Sequence, residues 1–144
     1  MLHLTRPNHP DTQDKWLKAG VEFFGGRAMC SVVGTDRWSD WSVAAPVPSP
    51  DTGSGDGDAQ VKGEVTLEAI RQPDELGSGL WVYQIVCGED GKETERVPLR
   101  EVTWFFADEE QEGWEVSVGA YAARPAGEGG ELAVRIGAFE VEER

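Results

Sequence analysis

Residues 16–42 read WLKAGVEFFGGRAMCSVVGTDRWSDWS and hold two strand-like runs around Gly25-Gly26. A Gly-Gly pair between alternating apolar runs predicts a two-residue hairpin, because a type I′ turn needs positive φ at both central positions. The turn sets the register: Phe24 opposite Arg27, Val21 opposite Cys30, Ala19 opposite Val32 and Leu17 opposite Gly34. Paired residues share a side of the sheet. One face then carries Leu17, Ala19, Val21, Phe23, Cys30 and Val32 and is the expected core face. The other carries Trp16, Lys18, Gly20, Glu22, Met29, Ser31, Val33 and Thr35, a mixed surface open to water or a ligand.

The rest of the chain follows the same grammar. Eighteen Gly and eight Pro lie between short apolar runs in 144 residues, and no window carries a sustained helical stripe. That pattern predicts one all-β domain of about nine strands, in sandwich territory. Strands are expected at 1–5, 16–35, 38–43, 61–70, 80–87, 95–106, 114–122 and 132–141, with the hairpin counted twice. Pro98 marks an edge strand or a break. Gln72–Gly79 and Glu89–Lys92 are expected turns, the second through Asp90-Gly91. In the last segment Leu132, Val134 and Ile136 differ in parity from Phe139 and Val141, so a bulge near Gly137-Ala138 is expected to return both sets to the core. Ala44–Gln60, rich in Pro, Gly, Ser and Asp, is expected to be a mobile acidic surface loop. Its Asp51, Asp56 and Asp58 lack the Gly and closing Glu of an EF-hand, so no metal is expected there.

Charge excludes some functions. A net charge of −14 repels a phosphate backbone and an anionic membrane, so neither nucleic acid nor lipid is an expected partner. Two cysteines, Cys30 and Cys87, make no disulfide framework and no zinc spacing, and are expected to be a buried, reduced pair. The start, MLHLTRPNHP, has no long apolar core of a signal peptide, and the chain reads as cytoplasmic and soluble.

Several stretches resemble a known family. WLKAGVEF at Trp16–Phe23, SVVGT at Ser31–Thr35 and SDWS at Ser39–Ser42 are similar to blocks of a concanavalin A-like domain-of-unknown-function family. The family includes the yeast regulation-of-enolase protein and other fungal and bacterial members. VSVGAYAARP at Val116–Pro125 and AFEV at Ala138–Val141 resemble its closing strands. The resemblance implies a jelly-roll sandwich of two curved antiparallel sheets, and a regulatory link to a metabolic enzyme. It also implies an N-terminally incomplete domain, since family members carry strands ahead of the equivalent of Leu2–Thr5. Sheet edges left open in that way would pair in a homodimer.

Candidate chemistry centres on two places. The mixed hairpin face offers Trp16, Lys18, Glu22, Ser31 and Thr35, with Gly20 leaving the backbone open. This can be a solvated face with an ordinary charge pair, or a flat aromatic beside hydroxyl-pairing groups, as a sugar or small polar ligand requires. In WSDWS, Trp38 or Trp41 can stack on a sugar while Asp36 and Asp40 accept hydroxyl hydrogen bonds; the same tryptophans can serve as rim packing. The expected function is therefore a non-enzymatic, lectin-like or regulatory module without a cofactor, binding a carbohydrate-like ligand or a metabolic protein. The alternative is a glycoside-active enzyme, which needs two carboxyls across one bond. No E-x-D-x-x-E run occurs, Glu140 and Glu142 lie at the C-terminus, and the histidines, His3 and His9, sit near the N-terminus.

Overall fold

The computed structural model describes residues 1–8, 13–25, 27–47, 64–75, 77–107, 113–124 and 133–142. Among these the chain forms eight strands and no helix: β1 (Leu2–Thr5), β2 (Lys15–Phe24), β3 (Arg27–Thr35), β4 (Ser39–Pro46), β5 (Thr66–Asp74), β6 (Gly77–Cys87), β7 (Glu93–Val102) and β8 (Glu115–Val118). They build two antiparallel sheets, a five-stranded one in the order β4-β3-β2-β1-β8 and a three-stranded one in the order β5-β6-β7. Among the described residues no helix is long and apolar enough to cross a membrane. Most of the acidic stretch 44–60, including Asp51, Asp56 and Asp58, lies outside the described residues, and its first residues extend β4.

The hairpin has the expected register, with Leu17 opposite Gly34, Ala19 opposite Val32, Val21 opposite Cys30 and Phe24 opposite Arg27. Gly25 takes φ 58°, a left-handed conformation that glycine adopts without a Cβ penalty. Leu17, Ala28, Cys30 and Val32 are buried against the second sheet, joined by Leu4 from β1 and by Leu80, Val82 and Val102 from β6 and β7. The core face stops short of the hairpin tip. Val21 is 48% and Phe23 64% exposed, so these two expected core residues are not in the core. Parity assigns a residue to a face; whether the opposite layer reaches that far is a matter of tertiary structure.

Four further expectations need correction. Gln72–Gly79 is not an open turn. β5 and β6 stay paired up to Asp74 opposite Gly77, leaving a two-residue connection. Residues 103–106 leave the strand, because Phe105 N–H donates to the Val102 carbonyl and Ala107 N–H to that of Trp104. A strand would send Trp104 and Phe106 to one face and Phe105 to the other. The turn instead drives Phe105 between the sheets, 1% exposed, and lays Trp104 over Gly34. β8 is shorter than expected, with Gly119–Arg124 in no strand. Finally, residues 133–142 form no strand, and Val134, Ile136, Phe139 and Val141 are each more than half exposed.

Pro98 sits on β7, an edge strand, the place in a sheet where proline is tolerated. A register shift there pairs Tyr83 with Pro98 but Val82 with Arg100, so Leu99 is an extra residue. The bulge turns both Leu99 and Arg100 toward the other sheet. Leu99 packs on the core, and the Arg100 guanidinium donates to the Asp40 carboxylate and, at 3.3 Å, to the Asp40 carbonyl.

Both cysteines are free, but they are not a buried pair: Cys30 is buried and Cys87 exposed. Burial pushes the Cys30 thiol up from its ordinary value. Thiolate is the reactive form. In a native-state thiol titration, Cys87 is expected to react promptly, and Cys30 only after denaturant is added. Two fast thiols would contradict this packing.

Candidate functional site

The outer face of the five-stranded sheet, turned away from the second sheet, is built by register. The cross-strand row Ser39–Thr35–Trp16 continues into His3 of β1 and Ser117 of β8. The next row is Trp41–Val33–Lys18, then Val43–Ser31–Gly20, with Glu22 opposite Met29 beyond. Trp16, Lys18, Glu22, Ser31, Thr35 and Trp41 therefore share one face.

Trp41 is the anchor of that face. Its indole N–H donates to the Glu22 carboxylate at 3.1 Å, and its ring meets that of Phe24 edge-on at 5.4 Å. Glu22 stands two strands across and further toward the hairpin tip, so the indole runs diagonally over β3 above Ser31. This accounts for an otherwise odd value: Ser31 points away from the core yet is only 7% exposed. Trp41 is 49% exposed, so about half of the side chain is covered and half meets solvent. A flat apolar ring held by a fixed acceptor is pre-organised, which reduces the ordering cost of binding.

The surroundings are polar. Lys18 Nζ lies 5.5 Å from the Trp16 ring centroid, a cation–π contact. The Thr35 and Ser39 hydroxyls are 2.8 Å apart. His3 Nε2 lies 3.2 Å from the Asp14 carboxylate.

The remaining expected site residues go elsewhere. Asp36 lies 3.7 Å from Lys15 Nζ, a buried cation that also sits 5.6 Å from the Trp114 ring. Asp40 is opposite Gly34, hence on the inner face, and is engaged by Arg100 across the two sheets. Trp38 is 86% exposed in the bend between β3 and β4. WSDWS thus splits three ways, and of its two tryptophans Trp41 joins the site. Phe24, which props Trp41, was not among the expected residues, although its even spacing from Trp16 put it on that face.

The outer face of the smaller sheet carries a second aromatic group. Trp81 and Tyr83 stack at 5.8 Å, Arg96 lies 5.4 Å from the Tyr83 ring, and the Tyr83 hydroxyl is 3.4 Å from Gln72. Arg96 also donates to Glu93 and Glu68. Its hydrogen bonds hold the Glu93 carboxyl below the ordinary value of 4.5. A carboxyl depressed in the fold stabilises it above its ordinary titration range, and that stability is lost as pH falls through the depressed value. A carbon-detected NMR titration is expected to place the Glu93 midpoint below 4.5, with Arg96→Gln restoring it. An unshifted midpoint in the native chain would refute the pairing. Among the described residues no three His, Cys, Asp or Glu gather as a metal ion would require.

Comparison with known proteins bears on identity, not on chemistry. The chain is 40% identical over 129 residues to the uncharacterized protein AN7484 of Emericella nidulans, an alignment covering 89% of this chain and 52% of that protein. It thus spans about half the length of the curated relative it matches. No solved structure matches it. The family described as "Protein of unknown function (DUF1349)" matches residues 2–144, from β1 to the last residue, and the chain is a member of that family.

Proposed function

We infer that the protein is a non-enzymatic binding module that takes a polyhydroxylated, carbohydrate-like ligand on the outer face of its five-stranded sheet. The observation that carries this is Trp41, half exposed and tethered through its N–H to Glu22. Held by that hydrogen bond, the exposed part of the indole offers an apolar surface on which a sugar ring stacks. Thr35, Ser39 and Lys18 supply hydrogen-bonding groups around it, the composition expected of a site with few polar groups on an apolar floor.

Hydrolysis has less support. Glycoside cleavage needs a second carboxyl within about 10 Å of the first. Glu22 is already bonded to Trp41, and no other carboxylate stands on the outer face of β2, β3 or β4 among the described residues. A concanavalin A-like jelly roll is the arrangement we propose for the two sheets, on the strength of the sequence resemblance. The regulatory reading, with a metabolic enzyme as partner, rests on that resemblance alone.

Affinity electrophoresis through gels containing a panel of neutral polysaccharides tests the proposal. The native chain is expected to be retarded by at least one of them, and Trp38→Ala to be retarded equally. Migration unaffected by every polysaccharide would overturn it, as would retardation that depends on Trp38.

A further inference from the structure

We propose that a second copy of this chain pairs with the open edge of β8, joining two five-stranded sheets into one. Among the described residues β8 has a partner on one side, β1, with Leu2 opposite Val118 and Leu4 opposite Val116. Hydrogen bonding shows which backbone groups that partner uses. Gly119 N–H donates to the Met1 carbonyl at 2.9 Å, and the Met1 amino group to the Gly119 carbonyl at 2.7 Å. In an antiparallel ladder bonded pairs alternate with non-bonded ones. Gly119, Ser117 and Glu115 therefore turn their N–H and C=O groups toward β1. Val116 and Val118 turn theirs outward.

Those outward groups are self-complementary. A two-fold axis normal to the sheet keeps the same face on the same side in both copies, so a residue must oppose one of its own parity. Centring the axis on Ser117 places Val116 opposite the second copy's Val118, and Glu115 opposite its Gly119. Each valine pair then exchanges N–H···O=C bonds, and no acidic side chain opposes another. The side chains agree with the backbone. Val116 and Val118 lie on the core-facing side with Leu4 and Leu2, yet are 52% and 39% exposed, because the three-stranded sheet does not reach them. In the pair, the valines of both copies meet across the axis. An edge of this kind is a template for another strand, and the isologous arrangement closes without forming a fibre. With four residues in the strand, the interface belongs to the weak, transient class. The charge of −14 on each copy opposes it, so salt strengthens it.

The same geometry designs the test. Ser117 faces its own symmetry mate at a non-bonded position, where Cα atoms approach within about 4.5 Å, inside the range a disulfide spans. In a Cys87→Ser background, Ser117→Cys is expected to give a covalent dimer under mild oxidation, while Glu115→Cys, facing glycine, stays largely single. Sedimentation of the native chain from micromolar to sub-millimolar concentration in high salt is expected to show the mass rising from 15.7 kDa toward twice that value. Val116→Pro removes an outward N–H that β1 does not use, so it is expected to hold the mass at one copy with an unchanged far-ultraviolet spectrum. A constant single-copy mass would overturn the proposal; protected Val116 and Val118 amides in that monomer would mean that another part of the chain covers the edge. Equal cross-linking at 115 and 117, or Val116→Pro associating as the native chain does, would also overturn it.

Discussion

Phe105→Ala is expected to destabilise the fold by about 3–5 kcal/mol, the range for truncating a fully buried phenylalanine. The ring is 1% exposed and fills the space between Leu4, Leu17 and Val32 of one sheet and Leu80, Val82 and Val102 of the other. It is held there by a turn, at 5.1 Å edge-on to Phe106 and 5.9 Å from Trp104. Because the backbone turn fixes its direction, the neighbouring aromatics cannot swing in to fill the cavity. A domain of this size has only about 5–15 kcal/mol of stability in total. Urea denaturation should therefore show a midpoint lowered by about a fifth or more with little change in slope. A loss below about 1 kcal/mol would mean that the Val102–Ala107 turn does not seat Phe105 in the core.

Trp41→Ala is expected to reduce carbohydrate affinity by about 2 kcal/mol or more, roughly thirtyfold in Kd, as for a hot-spot aromatic. The tether predicts an order among milder changes. Trp41→Phe keeps a flat ring but loses the N–H, and Glu22→Ala keeps the indole but removes its acceptor. Each is expected to fall between native and Trp41→Ala, since the ring survives while its orientation is no longer fixed. Glu22→Gln retains an acceptor oxygen and should be the mildest. Isothermal titration with whichever saccharide binds checks the series. If Glu22→Ala were as damaging as Trp41→Ala while Trp41→Phe bound normally, Glu22 would contact the ligand itself and the tether would be incidental. None of these changes should cost much stability, because Trp41 and Glu22 are both exposed.

The hairpin at 16–35 was legible because a two-residue glycine turn leaves one register, and that register assigns every later residue to a face. It brought Trp16, Lys18, Glu22, Ser31 and Thr35 together without reference to any other part of the chain. Three things lay beyond it. Coverage is one, since Val21 and Phe23 have core parity but nothing reaches them. The aromatic run Trp104–Phe106 is another: β-propensity favoured a strand, but the chain there turns through local hydrogen bonds. The third is the sorting of WSDWS. Adjacent residues on a strand face opposite ways, so Asp40 and Trp41 could not share a face once β4 paired with β3. Asp40's partner, Arg100, arrives from another sheet through a bulge at Leu99, which no local pattern announces.

The most direct test of the binding face is the indole N–H resonance of Trp41 in a nitrogen–proton NMR titration with a carbohydrate that retards the native chain. The tether and the stacked ligand together predict a saturable shift of this resonance, larger than those of Trp38 and Trp81, with backbone shifts following at Val33 and Ser31. Saturable shifts confined to Trp81 and Tyr83 on the opposite sheet, with Trp41 unmoved, would contradict the account and transfer the site to the other face.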